Sequence, residues 1–530
     1  MSECASIAPL SAAGTAAQPA AVPAAGAGPH APAPAVSLAP FTWWALVPGA
    51  VVFAVLMALS GRYGFHGDEL YMLDCARHLA ASYVDQPVFA PLMAWVTLHL
   101  FGVSLPGLRL WAALAAAGTV TIGGLTAREF GGGRRAQVLA ASLTAVMPVV
   151  LGSGHIANTT PYMITAIAGL GLVAARIGRT GDPRWWLAAG AVTGVGAEDN
   201  HLVAILAVAL TICALATRGG RRLVFSWWFV GGAAIAAGLE APDLWWQATH
   251  EWAAIAMTHS LNGENGGLAG LVTWIPGQLG VTALASVPVW IAGLRFLWKS
   301  QRPLWRPMGF AWALLFVVFA VTTGKQIYYL GGAYVYLLAA GTVALDGWLR
   351  ARPGRLRRLL AATAVTGAVA TLFTLPLLPP RDISWTYQTN TSLGEQTNAA
   401  PVVSAVAGVW HSLTPAQRAD AVVYTGTYTE AAAINELGRG DGLPTAVSAH
   451  NSDWWWGPGN PDATTVVAVT PGGFTTSAAY LRQYFTSVRV VATVTNPYGI
   501  PTQDDGGKVY LCTGPRQPWG QLWPQLRHYG

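Results

Sequence analysis

The sequence predicts a polytopic α-helical membrane protein with a smaller α/β domain at its C-terminal end. Three observations support this fold class. Of the 530 residues, 53% are hydrophobic and only 10% are charged, so the chain has too few polar side chains to cover a soluble globule of this size. Apolar runs of membrane-spanning length recur between residues 41 and 378. After residue 378 these runs stop, and short β-branched segments alternate with a helical pattern.

The charged residues exclude a nucleic-acid partner, although the net charge is +6. Basic residues form short clusters between apolar runs, which is typical of a topology determinant in a membrane protein. The four cysteines have no metal-ligand spacing, and they define no disulfide framework, although a Cys75–Cys512 bridge stays open as an alternative.

The first 40 residues predict a disordered cytoplasmic tail. They are mostly Ala, Pro, Gly and Ser and contain no Lys or Arg. Such a segment buries too little apolar surface to order itself. It lacks the basic start of a signal peptide, and the apolar run that begins near Phe41 is long enough for a full membrane span.

About eleven spans are predicted within a transmembrane domain of residues 41–379. They cover approximately 41–60, 105–127, 136–151, 161–175, 185–197, 201–217, 223–239, 272–297, 308–322, 331–349 and 359–378. Basic clusters around Arg135, Arg179, Arg221, Arg302 and Arg355 fall in alternate connections. By the positive-inside rule these connections are cytoplasmic. We therefore expect a multi-pass protein of the cytoplasmic membrane with its N-terminus inside and residues 380–530 outside.

The segment 185–217 requires a break. As one helix it would be about 50 Å long at ~1.5 Å per residue, well beyond the thickness of a bilayer. A pair of helices that turns at residues 198–201 satisfies both this length limit and the placement of Arg221.

The external loop 61–104 contains four carboxylates and two helical patterns, at residues 70–81 and 91–100. We predict two helices in the plane of the membrane interface. Asp68, Glu69 and Asp85 are candidates for a general base, because a carboxylate in a medium of reduced dielectric can be tuned to accept a proton. As an alternative, these acids bind a divalent cation, with Asp68 and Glu69 as its ligands. The alternative is that these acids have no specific role and simply face water, and we favour it for Asp74.

Other candidates are cations and aromatic side chains at the external ends of spans. Lys325 and Arg109 are candidates for binding a lipid phosphate, against the alternative that Lys325 reaches bulk headgroups. His155, Tyr328 and Tyr329 are accessory candidates. For the His155 segment the alternative is structural, with Thr159 or Thr160 capping a helix. The cluster Trp454–Trp456 offers stacking faces for a sugar, but docking against the membrane is favoured.

Taken together, these motifs resemble GT-C glycosyltransferases of the protein-mannosyltransferase and aminoarabinose-transferase type, and especially actinobacterial members of glycosyltransferase family 39. The motifs are His-Gly-Asp-Glu-Leu-Tyr at 66–71, Tyr-Val-Asp-Gln-Pro at 83–87, Thr-Thr-Pro-Tyr at 159–162, Pro-Asp-Leu-Trp-Trp-Gln at 242–247 and Gly-Lys-Gln-Ile-Tyr-Tyr at 324–329. The sequence departs from these relatives at Val88, where they often have Pro, and at Asn200, where they often have Lys.

The resemblance implies an enzyme that takes a sugar from a polyprenyl-phosphate donor on the external face. The sugar is transferred to a protein, lipid or cell-envelope glycan, usually with inversion. Carried over to this sequence, Asp68 is the base or the acid that positions the acceptor, Glu69 and Asp85 lie beside it, and Lys325 and Arg109 bind the donor phosphate. The partners are then the lipid-linked donor, the acceptor and membrane lipids, and a divalent cation is the cofactor candidate.

Two other functions remain open at this point. A membrane transporter would place charge along a path through its spans, whereas here the acids cluster at external span ends. A non-catalytic relative would keep the fold and bind a lipid-linked glycan without transferring a sugar.

Overall fold

The computed structural model describes residues 38–265, 267–323, 326–470 and 477–529. The predicted tail therefore lies almost entirely outside the described residues. The first element among the described residues is a 3-10 helix at Trp43–Ala45, which leads directly into the first α-helix.

The N-terminal two thirds of the described chain are helical. The helices are α1 Val47–Leu59, α2 Gly67–Arg77, α3 Phe89–Phe101, α4 Leu105–Glu129, α5 Arg134–Ala145, α6 Pro148–Gly154, α7 Thr160–Thr180, α8 Trp185–Ala197, α9 Leu202–Leu215, α10 Arg218–Val224, α11 Trp227–Thr249, α12 Ala253–Asn265, α13 Gly267–Thr282, α14 Val287–Trp298, α15 Arg306–Thr322, α16 Gly331–Arg350 and α17 Pro353–Thr374. The predicted break between α8 and α9 is confirmed, and α2 and α3 occupy the two helical patterns of the loop 61–104.

These helices form a multi-pass membrane protein. Within the described residues, five helices are long and apolar enough to cross a bilayer, and eight spans result if each of three bent helix pairs counts as one. The other predicted spans correspond to the shorter apolar helices at Trp43–Leu59, Trp185–Ala197 and Leu202–Leu215. The polytopic fold class is thus confirmed, while the count of eleven stays a prediction.

Helix α16 is the most enclosed of the long apolar helices, with every residue from Gly331 to Thr342 buried. Its contact with α14 requires glycine on both sides. A Cβ atom at Gly341 would lie 1.9 Å from the carbonyl oxygen of Val289, and one at Gly293 would lie 1.9 Å from that of Leu337. Small residues let helix backbones approach closely in a membrane, where packing rather than the hydrophobic effect drives association.

The C-terminal part contains a five-stranded mixed sheet in the order β2-β1-β3-β5-β4, so the predicted α/β fold is confirmed. Strands β1, β2 and β3 are parallel, while β5 is antiparallel to both β3 and β4. The elements are α18 Thr391–Glu395, α19 Ala399–Ser412, α20 Pro415–Ala419, β1 Ala421–Thr425, α21 Tyr428–Leu437, β2 Ala446–Ser448, β3 Thr465–Thr470, α22 Ala478–Tyr484, β4 Phe485–Thr493, β5 Lys508–Pro515 and α23 Trp519–Leu526.

The sheet part packs on helix α2 through α21 and the tryptophan cluster. Arg77 donates two hydrogen bonds to Glu436, of which Nη2–Oε2 is 2.8 Å, and Asn435 donates to Asp74 over 2.8 Å. The ring of Trp456 stacks on His78 with centroids 4.2 Å apart. Asp74 is buried, so the prediction that it merely faces water is wrong, because α21 covers it.

Cys75 and Cys512 are both buried and both free, so the alternative of a bridge between them is excluded. Cys75 lies on α2, in the core shared with α3 and α21, whereas Cys512 packs on the other face of the sheet.

Candidate active site

The site is built at the N-terminus of α2, where His66 caps the helix. The Asp68 N–H donates to Nδ1 of His66 over 3.1 Å, and the His66 N–H donates to Oε2 of Glu69 over 2.9 Å. This reciprocal capping box satisfies two backbone donors that a helix terminus otherwise leaves unpaired. The cap also fixes the directions in which Asp68 and Glu69 leave the first turn.

Glu69 points into the protein and pairs with Arg109 of α4. Both oxygens of Glu69 accept from the guanidinium over 2.8 Å, and both side chains are almost fully buried, at 0% and 1% exposure. Glu69 also accepts from the Ala157 N–H over 3.0 Å. Although burial opposes ionisation, the charge and hydrogen bonds of Arg109 hold the pKa of Glu69 below its usual range.

Arg109 has no hydrogen-bond donor left for a ligand. Besides Glu69, it donates to the carbonyl oxygens of Ser60 and Gly64 and to the side chain of Gln396. The structure therefore argues against the predicted phosphate-binding role of Arg109 and against a catalytic role for Glu69, since the pair is enclosed and saturated. A cation shared by Asp68 and Glu69 is equally disfavoured.

His155 lies behind this pair, and it too is enclosed. Its Nε2 is 3.1 Å from Nη1 of Arg109, and the residue is 1% exposed. Burial, followed by the adjacent charge of Arg109, lowers the pKa of His155 to about 3. The imidazole is therefore neutral and supports Arg109, so His155 has no direct access to a substrate.

Asp68 is partly exposed to solvent, unlike Glu69. Its carboxylate is 30% exposed, and Oδ2 accepts a hydrogen bond from Nδ2 of Asn158 over 3.2 Å. Asp68 also lies in the first turn of α2, at the N-terminus of the helix. Tyr428 interacts with Asp68 as well, so Asp68 is a carboxylate that is held by its neighbours and still partly exposed.

Asp85 lies on the other side of Tyr71, in the loop between α2 and α3. It accepts from the Tyr71 hydroxyl over 2.9 Å and from the Ser452 hydroxyl over 3.4 Å. Burial raises the pKa of Asp85 to about 6, and the hydrogen bond from Tyr71 partly opposes this shift. No hydrogen bond joins Asp85 to Asp68 among the described residues, but the charge of Asp68 also contributes to the raised pKa of Asp85.

The predicted phosphate ligand Lys325 lies outside the described residues. Tyr328 and Tyr329 lie within the described residues, in a short 3-10 helix. Their rings pack edge to face, with centroids 5.0 Å apart. Tyr328 interacts electrostatically with Asp68. The structure thus places this tyrosine on the same side of the helical part as the candidate acid.

Two cavities meet at the junction between α2 and the sheet part. The first has a volume of about 100 Å³ and contains Asp68. The second has a volume of about 510 Å³ and begins at Arg62, and both are bordered by Ala399. The first is lined by His66, Gly67, Asp68, Glu395, Asn398, Ala399, Tyr428, Thr429, Ala433, Gln503 and Asp504. We call the two neighbouring cavities together the junction cleft.

The junction cleft includes residues that the sequence analysis did not select. Arg62 is the basic side chain among the described residues that line it, and it is exposed. Glu395 and Asp504 line the smaller cavity, and burial together with the charge of Glu395 raises the pKa of Asp504. Glu395 and Asp504 lie more than 300 positions after Asp68, so no local motif could have connected them with it.

Comparison with known proteins gives one family match. Residues 85–246 match the family model described as dolichyl-phosphate-mannose-protein mannosyltransferase. A sequence comparison with curated proteins finds no match.

Several solved structures resemble this chain. ArnT from Cupriavidus metallidurans, bound to undecaprenyl phosphate, superposes with a TM-score of 0.58 and 18% identity over 88% of this chain and 97% of that chain. The apo state of the same protein gives a TM-score of 0.58 and 16% identity over the same shares. The Archaeoglobus fulgidus oligosaccharyltransferase gives a TM-score of 0.45 and 13% identity over 80% of this chain and 67% of that chain.

Proposed function

Because this chain has the GT-C glycosyltransferase fold, we propose that it is a membrane glycosyltransferase that uses a polyprenyl-phosphate-linked sugar. The sugar is transferred to a hydroxyl group of a protein, lipid or cell-envelope glycan on the external face. Support comes from the family model, which describes a transferase that uses a dolichyl-phosphate sugar, and from ArnT, whose structure contains undecaprenyl phosphate.

The observation that carries the proposal is the position of Asp68. Both carboxylate oxygens of Glu69 are bound by Arg109. The carboxylate of Asp68, by contrast, is 30% exposed and borders the smaller cavity of the junction cleft. A general base must reach the proton that it removes, and geometry is the first criterion for selecting one.

In the proposed reaction, Asp68 accepts the proton of the acceptor hydroxyl as its oxygen attacks the anomeric carbon of the donor sugar. The bond between that carbon and the phosphate oxygen breaks, and the lipid phosphate leaves with both electrons. Attack opposite the leaving group inverts the configuration of the sugar. Asn158 keeps the carboxylate of Asp68 oriented through its 3.2 Å hydrogen bond.

The leaving phosphate needs a cation to stabilise its charge. We assign this role to Arg62, which borders the larger cavity of the junction cleft, and retain Lys325 from the sequence prediction. The topology follows from the same proposal: the tail 1–40 lies in the cytoplasm, residues 41–379 form the transmembrane domain, and the domain 380–530 lies outside.

The test is a transfer assay with the purified protein in lipid nanodiscs, using membrane-extracted lipid-linked sugars as donors and cell-envelope extracts as acceptors. We expect Asp68→Asn to lower transfer by about 10²–10⁴-fold, the typical loss of a general base. Donor binding should be unchanged, because asparagine keeps the size and the contact with Asn158.

Asp382→Asn is the matched control, since its side chain is 53% exposed and lies outside the cleft; it should transfer at the wild-type rate. Wild-type transfer by Asp68→Asn would overturn the mechanism. If the wild-type protein transferred no sugar but moved a solute across the membrane, the transporter alternative would replace the proposal.

A further inference from the structure

A second polar cluster lies away from the junction cleft, at the turn between α8 and α9. His201 of this turn faces Glu240 and Asp243, which are one helical turn apart on α11. Nε2 of His201 is 3.1 Å from Oε1 of Glu240 and 3.1 Å from Oδ2 of Asp243, and the three ligand atoms lie within 4.8 Å of one another. We call these three residues the α8–α11 cluster.

The two 3.1 Å distances from His201 to the carboxylates are close to the spacing of ligands around a metal ion. Zinc bonds to histidine nitrogen and carboxylate oxygen are about 2.0–2.2 Å long, so tetrahedral ligands lie about 3.3 Å apart. A mixed set of one imidazole and two carboxylates suits Zn²⁺ better than Mg²⁺, which prefers an all-oxygen shell.

The charges of the cluster are unbalanced without a cation. A third carboxylate, Glu198, interacts electrostatically with Glu240 and Asp243, so three acids surround one imidazole. Oε2 of Glu240 and Oε1 of Glu198 are buried, and no donor within the described residues reaches them. Buried carboxylate oxygens without donors are costly, so the uncompensated negative charge beside His201 favours a bound cation.

Further hydrogen bonds orient the side chain of Asp243, as they do for the ligands of established metal centres. Asp243 is 1% exposed, and its other oxygen, Oδ1, accepts from the Ser82 hydroxyl over 2.5 Å. Gln247 in turn donates to Ser82 over 3.2 Å and to the carbonyl oxygen of Tyr83 over 2.9 Å. His201 is 46% exposed, which leaves a path for an ion from solution.

We propose that His201, Glu240 and Asp243 form a zinc-type divalent-cation site that connects the α8–α9 turn to α11. Through Ser82, the site also anchors the loop that contains Asp85. Glu198 strengthens this link, because its carbonyl oxygen accepts from the Phe89 N–H over 2.8 Å, at the other end of the same loop. The ion would thus fix this loop at both of its ends, near Ser82 and near Phe89. It would take no part in the transfer reaction proposed at Asp68.

The test measures Zn²⁺ binding to the purified full chain in detergent after treatment with a chelator, by isothermal titration and by metal analysis. We expect one equivalent of Zn²⁺, no comparable binding of Mg²⁺, and affinity at least tenfold weaker in His201→Gln and in Glu240→Gln. Both substitutions change side chains that are partly exposed, at 46% and 16%, so folding should survive. His99→Gln is the control, because His99 is exposed and lies outside the cluster.

Thermal unfolding gives a second readout. Zn²⁺ should raise the Tm of the wild type and of His99→Gln but not of His201→Gln, because a ligand that binds only the folded state stabilises it. Absence of a stoichiometric site in the wild type, or wild-type affinity in His201→Gln, would overturn the proposal.

Discussion

The side chains of Asp68 and Glu69 diverge because successive residues of a helix are rotated by about 100°. One carboxylate therefore enters the interior, where Arg109 binds both of its oxygens, and the other reaches the junction cleft. The interior pair joins α2 to α4 and, through Gln396, to the segment before α19. Its role is structural, whereas the role proposed for Asp68 is chemical.

Glu69→Gln should therefore destabilise the fold. It leaves the Arg109 guanidinium buried without a counter-charge, and removal of one partner of a buried ion pair typically costs about 3–5 kcal/mol. Thermal unfolding in detergent measures this loss. Glu251→Gln is the control: its pair with Arg527 is 2.9 Å long, but the Glu251 side chain is 69% exposed, so the change should stay below about 1 kcal/mol. Equal effects of the two substitutions would contradict the structural role of Glu69.

Asp85 predicts a pH dependence of stability. Its pKa is about 6 in the folded protein against a reference value of 3.8, so the folded state holds the proton more tightly than the unfolded chain. This contribution to stability is complete at low pH and is lost as the pH rises through about 6.

Asp85→Asn lacks the titrating group, so its Tm relative to wild type should increase from pH 4 to pH 6 and stay constant above pH 7. Thermal unfolding across this range provides the measurement. A difference that does not change with pH would show that the environment of Asp85 is not the one described here.

At the scale of elements, the closest contact in the membrane part joins α14 and α16. Gly341→Ala should destabilise the protein by about 1–3 kcal/mol, because the new methyl group meets the Val289 carbonyl oxygen and the backbones must separate. Gly347→Ala on the same helix is the matched control, since no atom lies within 4 Å of the added Cβ. Thermal unfolding should leave the control at or above the wild-type Tm, because alanine also favours helix. A Tm for Gly341→Ala equal to that of the control would disprove the contact.

Elements with local signals were predicted well. Helix α21, Tyr428–Leu437, is one such element, because Thr427 and Glu430 form a capping box whose residues are visible in the sequence. Strands β2 and β5 were not predicted; β2 has only three residues, which show no periodicity and depend on pairing with β1. The burial of Arg109 was also beyond the sequence, because its partner Glu69 lies 40 positions away and only the packing of α2 on α4 brings them together.

At the scale of the molecule, the sheet part and the loop 61–104 form one body, so both must lie on the same side of the membrane. Single cysteines at Ala416 and Gly354 test the proposed topology, because both positions are exposed. In intact cells an impermeant maleimide should label Ala416→Cys and not Gly354→Cys, and wild-type protein measures the background from the native cysteines. Labelling of Gly354→Cys from outside, with Ala416→Cys protected, would reverse the orientation and remove the proposed external site.

The junction cleft also determines when this protein can begin to work during its synthesis. One wall is made by residues 62–68 and the other by residues 395–399, and the Gly64 N–H joins them by donating to the Gln396 carbonyl oxygen over 3.0 Å. A nascent chain has its acid in place after the first span, but the opposing wall is translated more than 300 residues later. On the function proposed above, incompletely synthesised chains would therefore be unable to use the donor, although they are already inserted in the membrane.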